Sequence, residues 1–209
     1  MSTPDVPPAG PTALLSDVGG ILVQDQWEVA ADQLAAAFQV ERARLLAALR
    51  THAPDLDLGR STVRSFFDRV SGELGHAPAW PEFERVVLET SLVPVEENFE
   101  YYRNLHSRPG IRLVAATNVG PELAASLERK FRLSSYFDRV LRSSELGFRK
   151  PDPRFYAAAL SAAASRPESA VFVDDSPEYV AAASSLGIRS VLVERPGDLL
   201  GLLRPYFGP

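Results

Sequence analysis

The 209-residue sequence contains no cysteine, and this absence excludes several kinds of chemistry. A chain without thiol groups has no disulfide bonds, no thiolate nucleophile and no cysteine-ligated metal. Histidine is scarce as well, because the sequence has only His52, His76 and His106, and these lack the spacing of metal ligands. A zinc site is therefore not expected in this protein.

Long apolar runs and an excess of positive charge are also missing. No apolar run reaches about 18 residues, so no membrane-spanning helix is expected. The formal net charge of −5 gives no support to a nucleic-acid partner or to an anionic membrane surface. Residues 1–11 are polar and rich in proline, which predicts a disordered leader and not a signal peptide. Together these features predict a cytoplasmic protein, and they leave open whether it is a monomer or a homodimer.

The rest of the chain shows two different sequence patterns. From Gln26 to Thr90, apolar residues recur at three- and four-residue spacing, which predicts a helical bundle. After Pro94, short apolar runs alternate with helical segments, which predicts a parallel sheet covered by helices on both faces. The predicted strands are residues 12–16, 111–116, 140–141, 170–173 and 190–193.

The first predicted strand is separated from the later ones by the helical region. We therefore predict a Rossmann-like α/β core formed by residues 12–24 and 95–209. Residues 25–94 are predicted to form a helical cap that is inserted after the first strand. The functional site is expected just beyond the carboxyl ends of the strands, where open α/β sheets bind their ligands.

The first strand ends on Asp17, which is followed by Val18, Gly19 and Gly20. This arrangement predicts a buried strand that delivers a carboxylate to a tight loop. A second acid two residues after Asp17 would complete a pair of nucleophile and proton donor, but that position is occupied by Gly19.

Further polar signatures follow the later strands. They are Thr117-Asn118, Lys150-Pro151-Asp152-Pro153 and Asp174-Asp175-Ser176-Pro177. If all the signatures meet at one edge of the sheet, the site holds three carboxylates, one ammonium group and one hydroxyl group. That composition suits a phosphoryl group held by a hard divalent cation such as Mg²⁺. An aspartate could then attack phosphorus and form an acyl phosphate.

Each signature by itself also fits a structural role. An aspartate after a strand is often a turn former, and Asp174-Asp175 could cap a helix that begins near Pro177. Lys150 is harder to explain in this way, because it is one of only two lysines among 22 basic residues. A lysine in a chain that otherwise uses arginine indicates a requirement for a compact point charge. The strength of the functional interpretation lies in the ordered set.

This ordered set resembles the four motifs of the haloacid dehalogenase (HAD)-like hydrolase superfamily, whose members are mostly Mg²⁺-dependent phosphatases. The resemblance extends from about Thr12 to Val193, and the helical insertion lies where members of subfamily I carry their helical C1 cap. It implies a phosphatase that acts on a small phosphorylated metabolite through an aspartyl-phosphate intermediate.

The resemblance also implies roles for individual residues. Asp17 matches the nucleophile and a Mg²⁺ ligand, and Asp175 matches the second carboxylate on the metal. Gly19 would offer its backbone carbonyl to Mg²⁺, and Asp174 would lie behind the metal ligands. Thr117 and Lys150 match the other catalytic positions of the family. The substrate-binding residues implied in this way are Thr117, Asn118, Lys150 and Gly20.

Two positions depart from the family pattern. The phosphatases of the family usually carry aspartate at the position of Gly19, where it protonates the leaving oxygen and later activates water. The position four residues after Asp175 is often Asp or Asn, which supports the metal site, and here it is Tyr179. A weak phosphatase is therefore expected.

Two alternatives to a phosphatase remain open at this point. One is a non-catalytic regulatory module that binds Mg²⁺ and phosphate. The other is a metal-free 2-haloacid dehalogenase, against which the paired acids Asp174 and Asp175 argue. A metal-free site would not gather extra carboxylates near an anionic substrate.

The cap region is less informative about the substrate. Asp25 and Gln26 follow the first motif closely and are expected to face the site. Arg60 and Arg64 could meet a second anionic group of the substrate. Helical spacing favours a role in the helical core, and not in a pocket, for Trp27, Phe66, Phe67 and Trp80.

Overall fold

The computed structural model describes residues 10–208 and contains one five-stranded parallel sheet. The strands are β1 (Ala13–Ser16), β2 (Arg112–Thr117), β3 (Arg139–Arg142), β4 (Ala170–Asp174) and β5 (Arg189–Leu192), in the spatial order β3-β2-β1-β4-β5. The predicted parallel α/β sheet is therefore confirmed, with strand bounds that differ from the predicted ones by at most one residue at either end. The predicted leader falls on residues 1–11, of which 1–9 lie outside the described residues.

Both faces of the sheet are covered, which explains why its strands read as continuous apolar runs. Along β1, Leu14 packs into the hydrophobic cluster on one face, whereas Ala13 and Leu15 pack into the cluster on the other. Successive side chains of a strand point to opposite faces, so an apolar residue is needed at every position. All of β1 is buried in consequence.

The helices that cover the sheet come from the segments between and after the strands. They are α5 (Glu96–His106), α6 (Pro121–Phe131), α7 (Ser143–Leu146), α8 (Pro153–Ala162), α9 (Pro177–Ser185) and α10 (Leu199–Phe207). Helix α10 is short and contains Pro205, and its sequence pattern does not predict a helix. Helix α8 ends at Ala162, and two residues later Ala164 adopts a left-handed backbone conformation with φ of 48°.

The region between β1 and α5 is helical, as the three- and four-residue spacing of its apolar residues predicts. It contains α1 (Gln26–Phe38), α2 (Arg42–Asp57), α3 (Val63–Leu74) and α4 (Trp80–Arg85), which continues into a π-helical turn (Val86–Thr90). Thr62 caps α3, because its side-chain oxygen accepts a hydrogen bond of 3.1 Å from the Ser65 backbone N–H. Gly75 ends α3 in a left-handed conformation, with φ of 78°.

These helices bury their own hydrophobic cluster, which contains only residues from α1 to the π-helical turn. The two connections to the sheet run side by side, since the Gln24 N–H donates to the Val93 carbonyl over 2.9 Å. The Val95 N–H likewise donates to the Leu22 carbonyl over 2.8 Å. The division into a core and a cap stays a prediction, and the separate hydrophobic cluster supports it.

No helix within residues 10–208 combines the length and the apolar character needed to cross a membrane.

Candidate active site

The strand order brings the polar signatures of the sequence together at one edge of the sheet. In the middle of the sheet, Ser16 of β1 lies beside Ala115 of β2 and Val173 of β4. The strands are parallel, so their carboxyl ends meet at the same edge. Asp17 therefore follows β1 at the point where Thr117 ends β2 and Asp174 ends β4. The Asp17 N–H donates to the Val173 carbonyl over 2.9 Å and continues the ladder by one residue.

Lys150 is fully buried between two of the carboxylates. Its Nζ lies 2.9 Å from Asp17 Oδ2 and 2.6 Å from Asp174 Oδ2. Burial by itself lowers the pKa of Lys150, but the charges of Asp17 and Asp174 outweigh it and raise this pKa above its usual value. The ammonium group is therefore charged at neutral pH and offsets part of the negative charge of the site.

Asn118 holds the backbone of Lys150 in place. Its Nδ2 donates to the Lys150 carbonyl over 3.1 Å, and its Oδ1 accepts from the Lys150 N–H over 2.9 Å. Asn118 was predicted to bind substrate. It lines the cavity described below, but its amide group is already used on both sides to position the lysine.

Asp175 faces the other carboxylates without a cation of its own. Oxygen atoms of Asp17, Asp174 and Asp175 lie within 4.8 Å of one another. Burial raises the pKa of Asp175 to about 8, and the negative charges of Asp17 and Asp174 add to this effect. Within residues 10–208, Asp175 forms no side-chain hydrogen bond and no ion pair. The donor set therefore suits a divalent cation that prefers oxygen ligands.

The two glycines in the loop after Asp17 differ in whether the structure requires glycine at their position. A Cβ atom on Gly20 would lie 2.0 Å from Asp175 Oδ2, and Gly20 has a φ of 68°, so only glycine allows this approach. A Cβ atom on Gly19 would meet no atom within 4 Å. Steric crowding therefore does not account for the absence of an acid at position 19.

A cavity of about 610 Å³ opens above these residues, between the sheet edge and the helices of the cap region. From the sheet edge, Asp17, Gly19, Thr117 and Asp175 reach it. Within residues 10–208, the Thr117 hydroxyl has no hydrogen-bond partner, so it is available to a ligand in the cavity. The volume suits a small molecule.

The cap region contributes a largely buried carboxyl group, that of Asp57 at the end of α2. Its Oδ2 lies 3.3 Å from Arg149 Nε, and Arg149 Nη2 donates to the Tyr179 hydroxyl over 2.8 Å. Burial raises the pKa of Asp57 to about 7, although the charge of Arg149 acts in the opposite direction. Asp57 and Arg149 were not predicted as site residues.

The end of α2 and the start of α3 are docked on the beginnings of α6 and α7, the helices that follow β2 and β3. Ser143 Oγ donates to the Asp57 carbonyl over 2.6 Å, and the Val63 N–H donates to Glu122 Oε2 over 2.8 Å. A Cβ atom on Gly120 would lie 2.5 Å from the Leu56 carbonyl oxygen, so glycine permits the close approach there. These contacts hold Asp57 over the sheet edge.

A family model described as haloacid dehalogenase-like hydrolase matches residues 12–187. The chain belongs to this family. The predicted resemblance is thereby confirmed, and so is the prediction of an enzyme of the hydrolase class. The assignment to the subfamily with a helical C1 cap stays a prediction.

Named relatives of this HAD-like hydrolase include several phosphatases. Phosphoserine phosphatase of Thermus thermophilus is 33% identical over 153 residues, which cover 70% of this chain and 61% of the relative. A phosphatase of Mycobacterium tuberculosis is 36% identical over 92 residues, or 44% of this chain and 42% of the relative. Phosphoglycolate phosphatase 1 of Pseudomonas aeruginosa is 33% identical over 82 residues, or 39% and 30% of the two chains. The matches span less than two thirds of each relative.

Solved structures share the fold of this HAD-like hydrolase. A HAD-like hydrolase of Porphyromonas gingivalis superimposes with a TM-score of 0.70 at 24% identity, covering 88% of this chain and 91% of the other. A HAD family enzyme of Bacteroides thetaiotaomicron, in complex with magnesium and inorganic phosphate, gives 0.67 at 20% identity, with 88% and 94% covered. L-2-haloacid dehalogenase of Xanthobacter autotrophicus gives 0.63 at 18% identity, with 87% and 76% covered. The fold thus occurs in a haloacid dehalogenase as well, and it does not select the reaction.

The structure places the predicted cap residues of the HAD-like hydrolase in different surroundings. Asp25 and Gln26 line the cavity, as expected from their position after the first motif. Arg60 and Arg64 are exposed and do not line it, and Arg64 lies over the ring of Trp80 instead. Arg50 of α2 is the arginine of the cap region that reaches the cavity.

The cap aromatics mostly pack in the helical core, as their spacing favours. Phe66 and Phe67 are buried, and Trp80 packs against their cluster. Trp27 does both, because it packs on Phe66 and also lines the cavity. Its position next to the first motif explains the double contact.

Proposed function

We propose that this HAD-like hydrolase is a Mg²⁺-dependent phosphatase that acts on a small phosphorylated metabolite through an aspartyl-phosphate intermediate. The observation that carries this proposal is the arrangement of Lys150, which is buried against Asp17 and Asp174, while Asp175 faces them without a partner cation in the described part of the chain. One positive charge is set against three carboxylates, so the site favours a further cation. The phosphatase names of the relatives support the same reaction class.

Asp17 is the proposed nucleophile. Its Oδ1 accepts a hydrogen bond of 2.7 Å from the Val18 N–H, and its Oδ2 contacts Lys150, so the carboxylate has a fixed orientation. A new bond from a carboxylate oxygen to phosphorus forms as the bond from phosphorus to the leaving oxygen breaks. Water then attacks phosphorus, which releases phosphate and restores the carboxylate.

The neighbouring residues have supporting roles in this proposal. The free hydroxyl of Thr117 donates to a phosphate oxygen, and Lys150 neutralises the charge that phosphate brings near Asp17. Mg²⁺, held by Asp17, Asp175 and the Gly19 carbonyl, would supply positive charge to the phosphate oxygens when bound. Asp174 lies behind Lys150 and keeps it in position. Gly20 provides the space in which Asp175 approaches the loop.

Gly19 favours a second candidate function, a module that binds Mg²⁺ and phosphate without turnover. The side chain that usually transfers protons is missing at this position, whereas the residues proposed to bind the metal and the phosphate are present. A metal-free haloacid dehalogenase fits less well, because an anionic substrate would meet three clustered acidic side chains for which Lys150 is the close cation.

Release of inorganic phosphate from a panel of small phosphomonoesters tests the proposed function. Turnover with Mg²⁺ is expected, together with loss of turnover in EDTA, and the Asp17→Asn variant serves as the catalytic blank. Binding of beryllium fluoride and Mg²⁺ without turnover on any phosphoester would support the non-catalytic module instead. Halide release from a 2-haloacid without metal would support the dehalogenase.

Replacing Asp175 with asparagine is expected to remove the stabilisation of the protein by Mg²⁺. A ligand at 100 times its dissociation constant stabilises the native state by about 2.7 kcal/mol. For a chain of this size that amounts to a rise in Tm of about 5–10 °C. We expect this rise in the wild-type protein and little rise in Asp175→Asn, measured by thermal unfolding with and without Mg²⁺.

Glu178→Gln is the matched control for the loss of a negative charge. Glu178 also lines the cavity but lies on the exposed side of α9, outside the carboxylate cluster. The control is expected to keep the Mg²⁺-dependent rise in Tm. An equal rise in wild type and Asp175→Asn would contradict the assignment of Asp175 as a metal ligand.

A further inference from the structure

We propose that Asp57 performs the proton transfers for which other phosphatases of the family use an aspartate at the position of Gly19. The proposal rests on the proposed phosphatase function and adds a catalytic residue to it. Asp57 belongs to the cap region, far from the four sequence motifs, and reaches the reaction site only through the fold.

The position of Asp57 provides the first argument. Its carboxyl group lines the same cavity as Asp17 and Gly19, and only 17% of its side chain is exposed. It lies close enough to Asp17 and Lys150 for their charges to influence its pKa. The docking hydrogen bond from Ser143 to the Asp57 carbonyl fixes the end of α2 at this place. A carboxyl group is thus held on the wall of the cavity that Asp17 and Gly19 also line.

The hydrogen bonding of Asp57 provides the second argument. Within residues 10–208, neither oxygen of its carboxyl group accepts a hydrogen bond. Arg149 Nε approaches to 3.3 Å, but its N–H is not aligned for a hydrogen bond and is left without an acceptor. A largely buried carboxyl group with unused oxygens can give a proton to a ligand or take one from it.

The protonation state of Asp57 is suited to both transfers. Burial raises its pKa to about 7, with the charge of Asp17 adding to the effect and the charges of Arg149 and Lys150 opposing it. The Tyr179 hydroxyl from α9 faces the same cluster through its hydrogen bond to Arg149. A group that both donates and accepts protons works best when its pKa lies near the working pH.

Each step then balances. As Asp17 attacks phosphorus, the electron pair of the breaking bond stays on the leaving oxygen, which takes the proton of the Asp57 carboxylic acid. As water attacks the aspartyl phosphate, its proton passes to the Asp57 carboxylate and the Asp17 carboxylate leaves. Asp57 ends the cycle protonated, as it began.

The test compares Asp57→Asn with wild type on two phosphoesters, an alkyl phosphate and p-nitrophenyl phosphate. An alkoxide needs a proton to leave, whereas nitrophenolate leaves without one. With the alkyl phosphate, we expect a loss of turnover of about 10²-fold or more. With p-nitrophenyl phosphate, we expect a burst of about one nitrophenolate per enzyme, followed by slow turnover because the aspartyl phosphate accumulates.

Asp55→Asn is the matched control, two residues away on the same helix. Asp55 is only partly exposed, but it pairs with Arg69 near the surface of the cap region and does not line the cavity, so its loss is expected to leave turnover unchanged. Ser143→Ala removes the docking hydrogen bond and keeps the carboxyl group of Asp57. Weaker docking is expected to raise KM for both phosphoesters alike, without a burst.

The pH profile is a second measurement, and it does not require Asp57 to be replaced. For the wild type, kcat/KM with the alkyl phosphate is expected to fall as the pH rises through about 7, because the acid form of Asp57 is lost. Arg149→Met removes a charge that lowers the pKa of Asp57, so it is expected to shift this fall to higher pH. For the wild type with p-nitrophenyl phosphate, kcat/KM is expected to lack this fall, because nitrophenolate leaves without a proton.

Two outcomes would overturn the proposal while the phosphatase function stands. One is wild-type turnover of the alkyl phosphate by folded Asp57→Asn. The other is an equal loss with both phosphoesters and no burst, together with a wild-type pH profile that Arg149→Met does not shift. If the wild type shows no Asp17-dependent turnover of any phosphoester, the proposed function itself fails, which is a distinguishable result.

Discussion

In a protein that already carries Asp57→Asn, adding Gly19→Asp is expected to speed hydrolysis of an alkyl phosphate about 10²-fold. A positioned acid–base group contributes about 10²–10⁴ to the rate of such reactions. In the wild-type background the gain is expected to be smaller, because Asp57 already supplies part of the proton transfer. The measurement is kcat for the alkyl phosphate in the four combinations of the two substitutions.

The structure shows why an acid at position 19 is compatible with this loop. A Cβ atom there meets no atom within 4 Å, and the position lines the cavity that Asp17 also reaches. Gly20 is the opposite case, because a Cβ atom there would collide with Asp175. A substituted position 19 is therefore expected to keep the carboxylate cluster intact.

Gly19→Asn is the control for this prediction, because asparagine has the shape of aspartate and cannot exchange the proton. Its rate is expected to equal that of its parent or to fall below it. Equal rates in Gly19→Asp and Gly19→Asn would show that the geometry of the loop, and not the missing acid, limits the reaction.

Lys150→Met is expected to destabilise the protein by about 3–5 kcal/mol and to abolish turnover. The substitution removes the only cation within 4.0 Å of either Asp17 or Asp174 among the described residues. Asp174 is fully buried, so its charge is left without compensation. Breaking a buried ion pair from one side typically costs that amount, because the remaining charge stays desolvated. Urea unfolding without divalent cations measures the effect.

Lys130→Met is the matched control, since Lys130 is the only other lysine of the chain. Its ammonium group donates to the carbonyls of Glu89 and Leu92, over 3.1 and 2.7 Å, and it contacts no carboxylate among the residues that the structure describes. We expect a loss of about 1 kcal/mol for the removal of these bonds. A second substitution, Asp174→Asn, is expected to recover part of the stability lost in Lys150→Met. Without that recovery, the ion pair would not be the origin of the loss.

The fold was largely predictable because its strands and helices have strong local signals. The four later strands are apolar runs between helical segments. A strand that is covered on both faces needs apolar residues at successive positions, so such a run is its sequence signal. Helix α10 was missed because it spans few turns and contains Pro205, so the contacts of Leu199, Leu203 and Phe207 decide it. Tertiary packing there outweighs a weak local preference.

The candidate site was predictable where its residues end strands. Asp17, Thr117 and Asp174 come together because parallel strands place their carboxyl ends at one edge, and Lys150 was indicated by its rarity in the chain. Arg60 and Arg64 were weaker predictions, since the direction of a surface arginine depends on how its helix is docked. The structure turns both away from the cavity.

By itself, the sequence determined a HAD-like α/β chain with a carboxylate, a hydroxyl and an ammonium group at its strand ends, and with no acid at position 19. These features can be read from the short stretch of sequence at the end of each strand. Only the tertiary structure decided that Asp57 reaches the cavity and that Arg149 faces it. Docking of the cap region on the sheet edge brings Asp57 and Arg149 together. The burial of Asp57 in this position raises its pKa. Neither effect is encoded in a local sequence pattern.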